Sequence, residues 1–459
     1  MKTTSKTTDI TQGVIWKQLL AFFFPILFGT FFQQLYNTVD AIIVGRFLGK
    51  EALAAVGGGT GTVVNLLVGF FTGLTGGATV SISQFYGAKN RRDLHRAVHT
   101  ALAFCIAGGL IITVLGIFYA PWMLRLLGTP DEILEPAIQY ITIFFMGILP
   151  SIIYNMGGAI LRAAGDSKRP FYILIIGTFL NIILDILFIA VFKLGVAGAA
   201  YATIASQTVT MILVIIILMK TNDIYRLTLR DIRFDGPMLR TILHLGLPTG
   251  FQSVMYTVSN LIIQKNVNAF GTNTIAAWAA YGKVDCIFWM MINSFGIAIT
   301  TFAGQNYGAR KLDRVHKGTK QCLFMAAIAT VAMAIIFIVA GRYILWLFCD
   351  DPAVLEEGMK IINFLAPSFI TFICIEVLSG TIRGCGKTLV PALFTCGGVC
   401  ILRIIWLAVA VPVWPTMITV SASYPISWTL TSGLFIVYYR YLKKRDFGAA
   451  PVKANKSFI

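Results

Sequence analysis

ISQFYGAKNRRDLHRA, residues 82–97, returns later in the chain as FAGQNYGARKLDRVHKG, residues 302–318. The Gln, Tyr, Gly, Ala and His that the two stretches share recur at an offset of 221 positions. A second pair has the same offset: LRAAGDSKRP (161–170) matches IRGCGKTLVP (382–391), with an arginine, a glycine and a proline kept in place. Two separate blocks at one offset favour an internal duplication over a chance likeness between loops.

The composition indicates a membrane protein. The 459 residues are 57% hydrophobic and only 12% charged, with a mean hydropathy of +0.78, whereas soluble proteins carry about 25% charged residues. Apolar stretches of roughly 20 residues, the length that a helix needs to cross a bilayer, recur along the whole chain. The first apolar run is long and no small-residue cleavage site follows it, so we expect no cleaved signal peptide. The expected spans lie near residues 17–44, 53–80, 98–120, 136–157, 170–191, 195–219, 239–264, 274–302, 321–347, 358–380, 391–413 and 417–439.

The repeat sets the expected architecture. Each copy contains six spans, an even number, so the two halves enter the membrane in the same sense, as parallel repeats do. We therefore predict an all-α integral membrane protein with twelve transmembrane helices in two six-helix lobes, an arrangement that suits a transporter with inward- and outward-open forms. The expected parts are an N-terminal lobe (1–219), a cytoplasmic linker (220–238), a C-terminal lobe (239–440) and a cytoplasmic tail (441–459).

The distribution of charge predicts the topology. A net charge of +17 would suit a nucleic-acid-binding protein, but 28 of the 37 Lys and Arg residues fall at the termini and in the even-numbered loops. Acidic runs at 131–135 and 350–357 fall in the alternate loops. By the positive-inside rule, both termini and the even-numbered loops are cytoplasmic. We expect a multi-pass protein of the inner or plasma membrane with no nucleic-acid partner.

Four polar residues stand out within the spans of the first half. Asp40 lies in an otherwise apolar span, and GTFLNIILDIL (177–187) carries Asn181 and Asp185 four residues apart, on one helix face. Thr203, early in the sixth span, can add a hydroxyl oxygen. A carboxylate at the centre of a membrane helix costs about 2.5–3.5 kcal/mol to insert, so such residues usually face a partner or a wet cavity.

These side chains have three possible roles. Burial favours the neutral form of each carboxyl group, and two close carboxylates favour it further, so the pair could hold a proton near neutral pH. The same oxygens could bind a hard cation such as Na⁺. The alternative is that the residues form hydrogen bonds between helices, which is commoner for Asn and Thr than for Asp.

Several motifs resemble those of the multidrug and toxic compound extrusion (MATE) transporters, and the likeness covers essentially the whole chain. The motifs are the two copies of the repeated loop, GAILRAAGDSKRP (158–170), YNTVDAIIVGRFLG (36–49) and LGVAGAAYATIASQ (194–207). The resemblance implies efflux of organic, often cationic, compounds in exchange for protons or sodium ions. It also implies that Asp40, Asn181, Asp185 and Thr203 form the cation site of the N-terminal lobe.

The second half lacks a copy of this group. The positions 221 residues after Asn181 and Asp185 are Leu402 and Trp406. Family members with a cation site in the second lobe carry a glutamate in span 7, where the nearby polar residue here is Gln252, a departure from that pattern. Other polar residues are weaker candidates for lining a substrate cavity, with packing or charge pairing as the alternative. They are Gln34, Tyr36, Asn37, Tyr140, Gln252, Asp285, Glu376 and Arg403, with Lys283 near the second group.

The predicted function is secondary antiport, in which amphipathic, cationic compounds leave in exchange for H⁺ or Na⁺. The chain has no Walker-type GxxxxGK[ST] and no catalytic or metal-ligand constellation, so we expect no enzyme activity, no cofactor and no bound metal. The eight cysteines form no CxxC pair and are expected to pack as small apolar residues. A monomer is expected. The alternative functions are a flippase for lipid-linked precursors, which would need more cavity arginines than Arg403, and a membrane enzyme or receptor.

Overall fold

The computed structural model describes residues 10–446, and within that range the regular structure is helical, with no strand. The α-helices are α1 (Ile15–Leu48), α2 (Lys50–Gly57), α3 (Gly59–Gly87), α4 (Arg91–Leu126), α5 (Asp131–Met146), α6 (Ile148–Ala163), α7 (Lys168–Asp185), α8 (Gly195–Lys220), α9 (Gly236–Val267), α10 (Thr272–Gly308), α11 (Leu312–Trp346), α12 (Pro352–Leu365), α13 (Phe369–Gly384), α14 (Leu389–Thr395), α15 (Leu402–Val413) and α16 (Met417–Asp446). Two short π-helices, Ile186–Val191 and Cys396–Ile401, follow α7 and α14. Lys2, Lys6, Lys453, Lys456 and the rest of the predicted tail beyond 446 lie outside the described residues.

Within residues 10–446, the α-helices correspond to the twelve predicted spans, because four of these spans consist of two helices each. Nine of the twelve are long and apolar enough to cross a membrane, and the α5–α6 pair, bent by 50°, makes a tenth. The other two are α9 and α16, in which Ser, Thr and Tyr residues interrupt the apolar sequence. The predicted fold class, an all-α membrane protein built from two repeats, is confirmed.

Packing divides the chain into two compact units. The first unit is Phe24–Gly250, and the second joins Ile10–Phe23 to the described chain from Phe251 onward. Helix α1 thus contributes its first turns to the second unit and the remainder to the first, and α9 is divided near Gly250. The lobe limits predicted from the sequence at 219 and 239 concern the repeat and stay a prediction.

The backbone repeats where the sequence repeats. Lys89 and Arg310, which follow α3 and α10, adopt φ of 54° and 59°, a left-handed conformation that is uncommon outside glycine. In the second pair of matched blocks, 161–170 and 382–391, Gly165 and Gly386 have φ of 96° and 85°. The hydrogen bonds of these turns match as well: Asn90 N–H donates to Phe85 O at 3.0 Å and Lys311 N–H to Asn306 O at 2.8 Å, while Gly165 N–H donates to Arg162 O at 2.9 Å and Gly386 N–H to Arg383 O at 2.8 Å. The duplication is therefore structural.

In the second unit, the repeated loop binds the segment that precedes α1. Lys311 Nζ donates to the carbonyl oxygen of Thr11 at 2.8 Å, and Arg314 Nη1 donates to that of Gly13 at 2.9 Å. Lys311 and Arg314 of the loop therefore donate hydrogen bonds to backbone carbonyls just before α1. This role is additional to any role of their charge in membrane topology.

Helices α3 and α9 approach closely within the first unit. Gly73 and Gly77 on α3 face Gly246 and Gly250 on α9, two small-xxx-small pairs in register. A Cβ on Gly73 would lie 2.7 Å from Gly250 Cα, and one on Gly77 would overlap the amide nitrogen of Gly246. This is the packing that small residues allow between membrane helices, where backbone approach replaces the hydrophobic effect.

Candidate cation site

The four candidate residues of the first half all lie within the first unit. Asp40 is on α1, Asn181 and Asp185 are on α7, and Thr203 is on α8. Their exposed fractions are 8%, 0%, 0% and 9%. The register of α7 is set at its start, where Asp166 Oδ1 accepts hydrogen bonds from the first backbone N–H groups of the helix at 3.1 Å. All four are buried polar side chains, and their role as a cation site stays a prediction.

The carboxyl groups of Asp40 and Asp185 face each other, close enough for hydrogen bonding and electrostatic interaction. As ionised groups, neither can donate to the other, and Asp40 Oδ1 and both oxygens of Asp185 have no donor among residues 10–446. The amide of Asn181, one helical turn before Asp185, is equally without a partner there. Buried polar atoms are nearly always satisfied, so a proton or a cation bound here would complete the site.

Two tyrosines and an apolar wall surround the carboxyl pair. Tyr36 donates its hydroxyl to Thr203 Oγ1 at 3.0 Å, which ties α1 to α8 beside the carboxylates. Tyr140 lies within electrostatic reach of Asp40 and Asp185. It is also part of an apolar cluster that includes Ile43 and Val44 of α1 and Ile189. Of the other candidates in this unit, Gln34 is half-buried and Asn37 is exposed.

Comparison with known proteins settles the family. The family model MatE matches twice, over residues 25–187 and 248–409, which together are most of the chain. The chain belongs to the MatE family. It is 29% identical over 454 residues to "Probable multidrug resistance protein YoeA" of Bacillus subtilis (strain 168), covering 96% of both chains. It is 30% identical over 437 residues to "Probable multidrug resistance protein YpnP" of the same organism, covering 95% of this chain and 97% of the relative. A solved multidrug resistance MATE family transporter in an outward-facing conformation has the same fold, with a TM-score of 0.90, 23% identity, and coverage of 97% of this chain and 99% of that one.

The second unit of this MatE-family chain has its own polar group, in which Arg403 is buried and Asp285 half-buried. Asp285 accepts hydrogen bonds from Trp289 Nε1 at 2.7 Å and Tyr281 Oη at 3.1 Å. Arg403, only 2% exposed, stacks its guanidinium over the Tyr424 ring at 4.1 Å and lies within electrostatic reach of Asp285. Asp285 and Arg403 therefore both have contacts inside the unit.

The remaining candidates of the second unit differ in their surroundings. Glu376 forms an ion pair with Arg383 at 3.5 Å. Charge pairing was the alternative to a place in the substrate cavity. Gln252 is half-buried on α9, with its side-chain oxygen unpaired in the described chain. Lys283 is exposed. None of these residues repeats the facing carboxylates of the first unit.

Sequence reasoning missed a cluster at the beginning of α4. His95 and His99 lie four residues apart on one face of α4, and Asp231 of the linker lies against them, with Oδ2 3.3 Å from His95 Nε2. The histidine spacing is visible in the sequence, but the third member is separated from His95 by 136 positions. Only the docking of the linker on this end of α4 brings Asp231 to the two rings.

Proposed function

We propose that this MatE-family chain is a secondary antiporter that exports amphipathic, cationic organic compounds in exchange for H⁺ or Na⁺. The observation that carries the proposal is the buried pair of Asp40 and Asp185, in which Asp40 Oδ1 and both oxygens of Asp185 lack donors within residues 10–446. Two facing carboxylates repel each other in a medium of low dielectric constant. Binding of one small cation relieves that repulsion and alters the preferred packing of α1 against α7.

Coupling follows from differential binding. An ion that binds one conformation more tightly than the other shifts the equilibrium between them, and the substrate can shift it back. The carboxylates and the rings of Tyr36 and Tyr140 suit a cationic substrate, because carboxylates attract positive charge and aromatic faces do so too. The names of the two Bacillus subtilis relatives, each a "Probable multidrug resistance protein", support an organic substrate.

We also propose where the protein lies and in what form it acts. The chain is a multi-pass protein of the inner or plasma membrane, with both termini cytoplasmic, and it acts as a monomer without enzymatic activity or a resident cofactor. The excess of Lys and Arg at the termini and in alternate loops supports this orientation.

Transport by the purified protein in proteoliposomes tests the proposal. An imposed H⁺ or Na⁺ gradient should drive movement of a fluorescent cation such as ethidium, and replacing Na⁺ with choline at fixed pH separates the two ions. Asp40→Asn and Asp185→Asn should each abolish gradient-driven transport while the protein elutes normally from a size-exclusion column. Exposed Glu356→Gln is the matched control and should transport as the wild type does. Gradient-driven transport that survives in both aspartate variants would reject the site.

The flippase alternative is less well supported. A carrier of anionic head groups needs arginines that are free to bind them. In the second unit, Arg403 is stacked on Tyr424 near Asp285, and Arg383 is paired with Glu376. Both arginines thus already interact with side chains of the same unit.

A further inference from the structure

The cluster of His95, His99 and Asp231 is independent of the carboxyl pair and has no part in the proposed transport cycle. The two imidazole rings stack with their centroids 3.9 Å apart. One ligand atom from each of the three residues can be chosen so that all lie within 4.8 Å of one another. His95 and Asp231 are 43% and 47% exposed, so an ion can enter from solvent without unfolding the chain.

The distances are close to those of a tetrahedral zinc site. Zinc bonds to nitrogen and carboxylate oxygen of about 2.0–2.2 Å place neighbouring ligand atoms roughly 3.3–3.5 Å apart. His95 Nε2 and Asp231 Oδ2 are 3.3 Å apart, which already matches. The His99 ligand atom lies within 4.8 Å of the other two ligand atoms, so at most a small movement of the side chains completes the set.

The hydrogen bonds of His99 also favour a ligand role. Its Nδ1 lies 2.7 Å from the carbonyl oxygen of His95, and a metal-binding histidine typically donates its other ring N–H to a backbone carbonyl in this way. Its Nε2 accepts from the backbone N–H of Thr228 at 3.1 Å. A metal ion would replace that single neutral hydrogen bond.

The linker that carries Asp231 is already docked. Asp235 N–H donates to Thr100 Oγ1 at 3.3 Å, and Arg96 forms an ion pair with Asp235 at 3.7 Å. Farther along, Tyr86 donates its hydroxyl to Asp223 at 3.0 Å. The third ligand is therefore held near the two histidines before any ion binds.

We propose that His95, His99 and Asp231 bind one divalent transition-metal ion, with Zn²⁺ the best match to these ligands and water as the fourth ligand. Imidazole and carboxylate are ligands that zinc favours. The ion fastens the linker between the two repeats to the first turns of α4.

Zinc titration of the full-length protein in detergent micelles, purified through a tag without histidine, tests the site. Isothermal titration calorimetry should show one Zn²⁺ per wild-type chain, with affinity weakened by about ten-fold or more in His95→Asn and in Asp231→Asn. His316→Asn is the control, because His316 occupies the repeat-related position and its Nδ1 lies 2.7 Å from the Tyr439 hydroxyl instead. It should bind as the wild type does.

Limited proteolysis gives a second measurement. Trypsin cleaves at the exposed Arg226 and Arg230 of the linker, and Zn²⁺ should slow cleavage there in the wild type and not in His95→Asn. Binding of equal strength in all variants would assign the ion to other residues and overturn the proposal, as would the absence of binding by the wild type.

Discussion

At the scale of single residues, the Tyr36 hydroxyl has a defined task. It donates to Thr203 Oγ1 at 3.0 Å beside the carboxyl pair in a partly buried hydrogen bond, and a hydrogen bond contributes about 1 kcal/mol. Tyr36→Phe keeps the ring and removes the bond, so the concentration of coupling ion needed for half-maximal transport should rise by about 2- to 10-fold. Proteoliposome flux against ion concentration measures this.

The control for that change is Tyr201→Phe. Tyr201 lies on the same helix as Thr203, two residues earlier, but is 46% exposed. Its ion dependence should equal that of the wild type. Equal responses of the two variants would remove Tyr36 from the ion site.

Arg403 leads to a second residue-scale prediction. The buried guanidinium lies over Tyr424 and within electrostatic reach of the half-buried Asp285, so Arg403→Leu removes a cation–π contact and a positive charge near the Asp285 carboxylate. The thermal unfolding midpoint of Arg403→Leu in detergent should fall by a few degrees, since a desolvated cation–π contact contributes about 2 kcal/mol. Adding Asp285→Asn should recover about 1 kcal/mol of that loss. Strictly additive losses would mean that the two charges do not interact.

Sequence patterns reveal polar residues that stand out in an apolar helix, but they do not reveal which side chains these residues contact. Asp40 and Asp185 were identifiable because charge is costly in an apolar helix. The bond from Tyr36 to Thr203 joins residues 167 positions apart, and tyrosine and threonine are unremarkable in membrane helices. For the same reason the pattern suggested charge pairing for Asp285 and Glu376 but could not name Trp289 or Arg383 as the side chains they contact.

At the scale of elements, the crossing of α3 and α9 depends on glycine. A Cβ on Gly77 would overlap backbone atoms of Gly246 and Ile242, which cannot rotate away as a side chain would. Gly77→Ala should therefore destabilise the first unit by roughly 1–3 kcal/mol through overpacking, seen as a lower unfolding midpoint. Gly61→Ala, on the same helix with nothing within 4 Å of the added atom, should leave the midpoint unchanged or raise it slightly. A Gly77→Ala protein as stable as Gly61→Ala would show that the helices are not in close contact.

The limits of the elements were predictable to different degrees. Apolar runs locate the passes well: the span expected at 195–219 is the helix Gly195–Lys220. The break at Gly147, where α5 and α6 meet at 50°, was missed, because a bend inside an apolar run leaves the composition unchanged. The π-helix that follows Asp185 was missed as well, since its backbone pattern depends on packing against neighbouring helices.

At the scale of the whole molecule, the proposed orientation can be tested with a native cysteine. Cys349 lies between α11 and α12, next to the acidic run expected on the outer side, and is a free, half-buried thiol. A membrane-impermeant maleimide should label it in intact cells, because odd-numbered loops are external if the basic loops are cytoplasmic. Cys349→Ser should lose that label. In the Cys349→Ser background, Asn222→Cys places a thiol at an exposed linker position and should react only after the cells are permeabilised. Labelling of Asn222→Cys in intact cells with protection of Cys349 would reverse the orientation, and with it the direction in which the ion gradient drives the substrate.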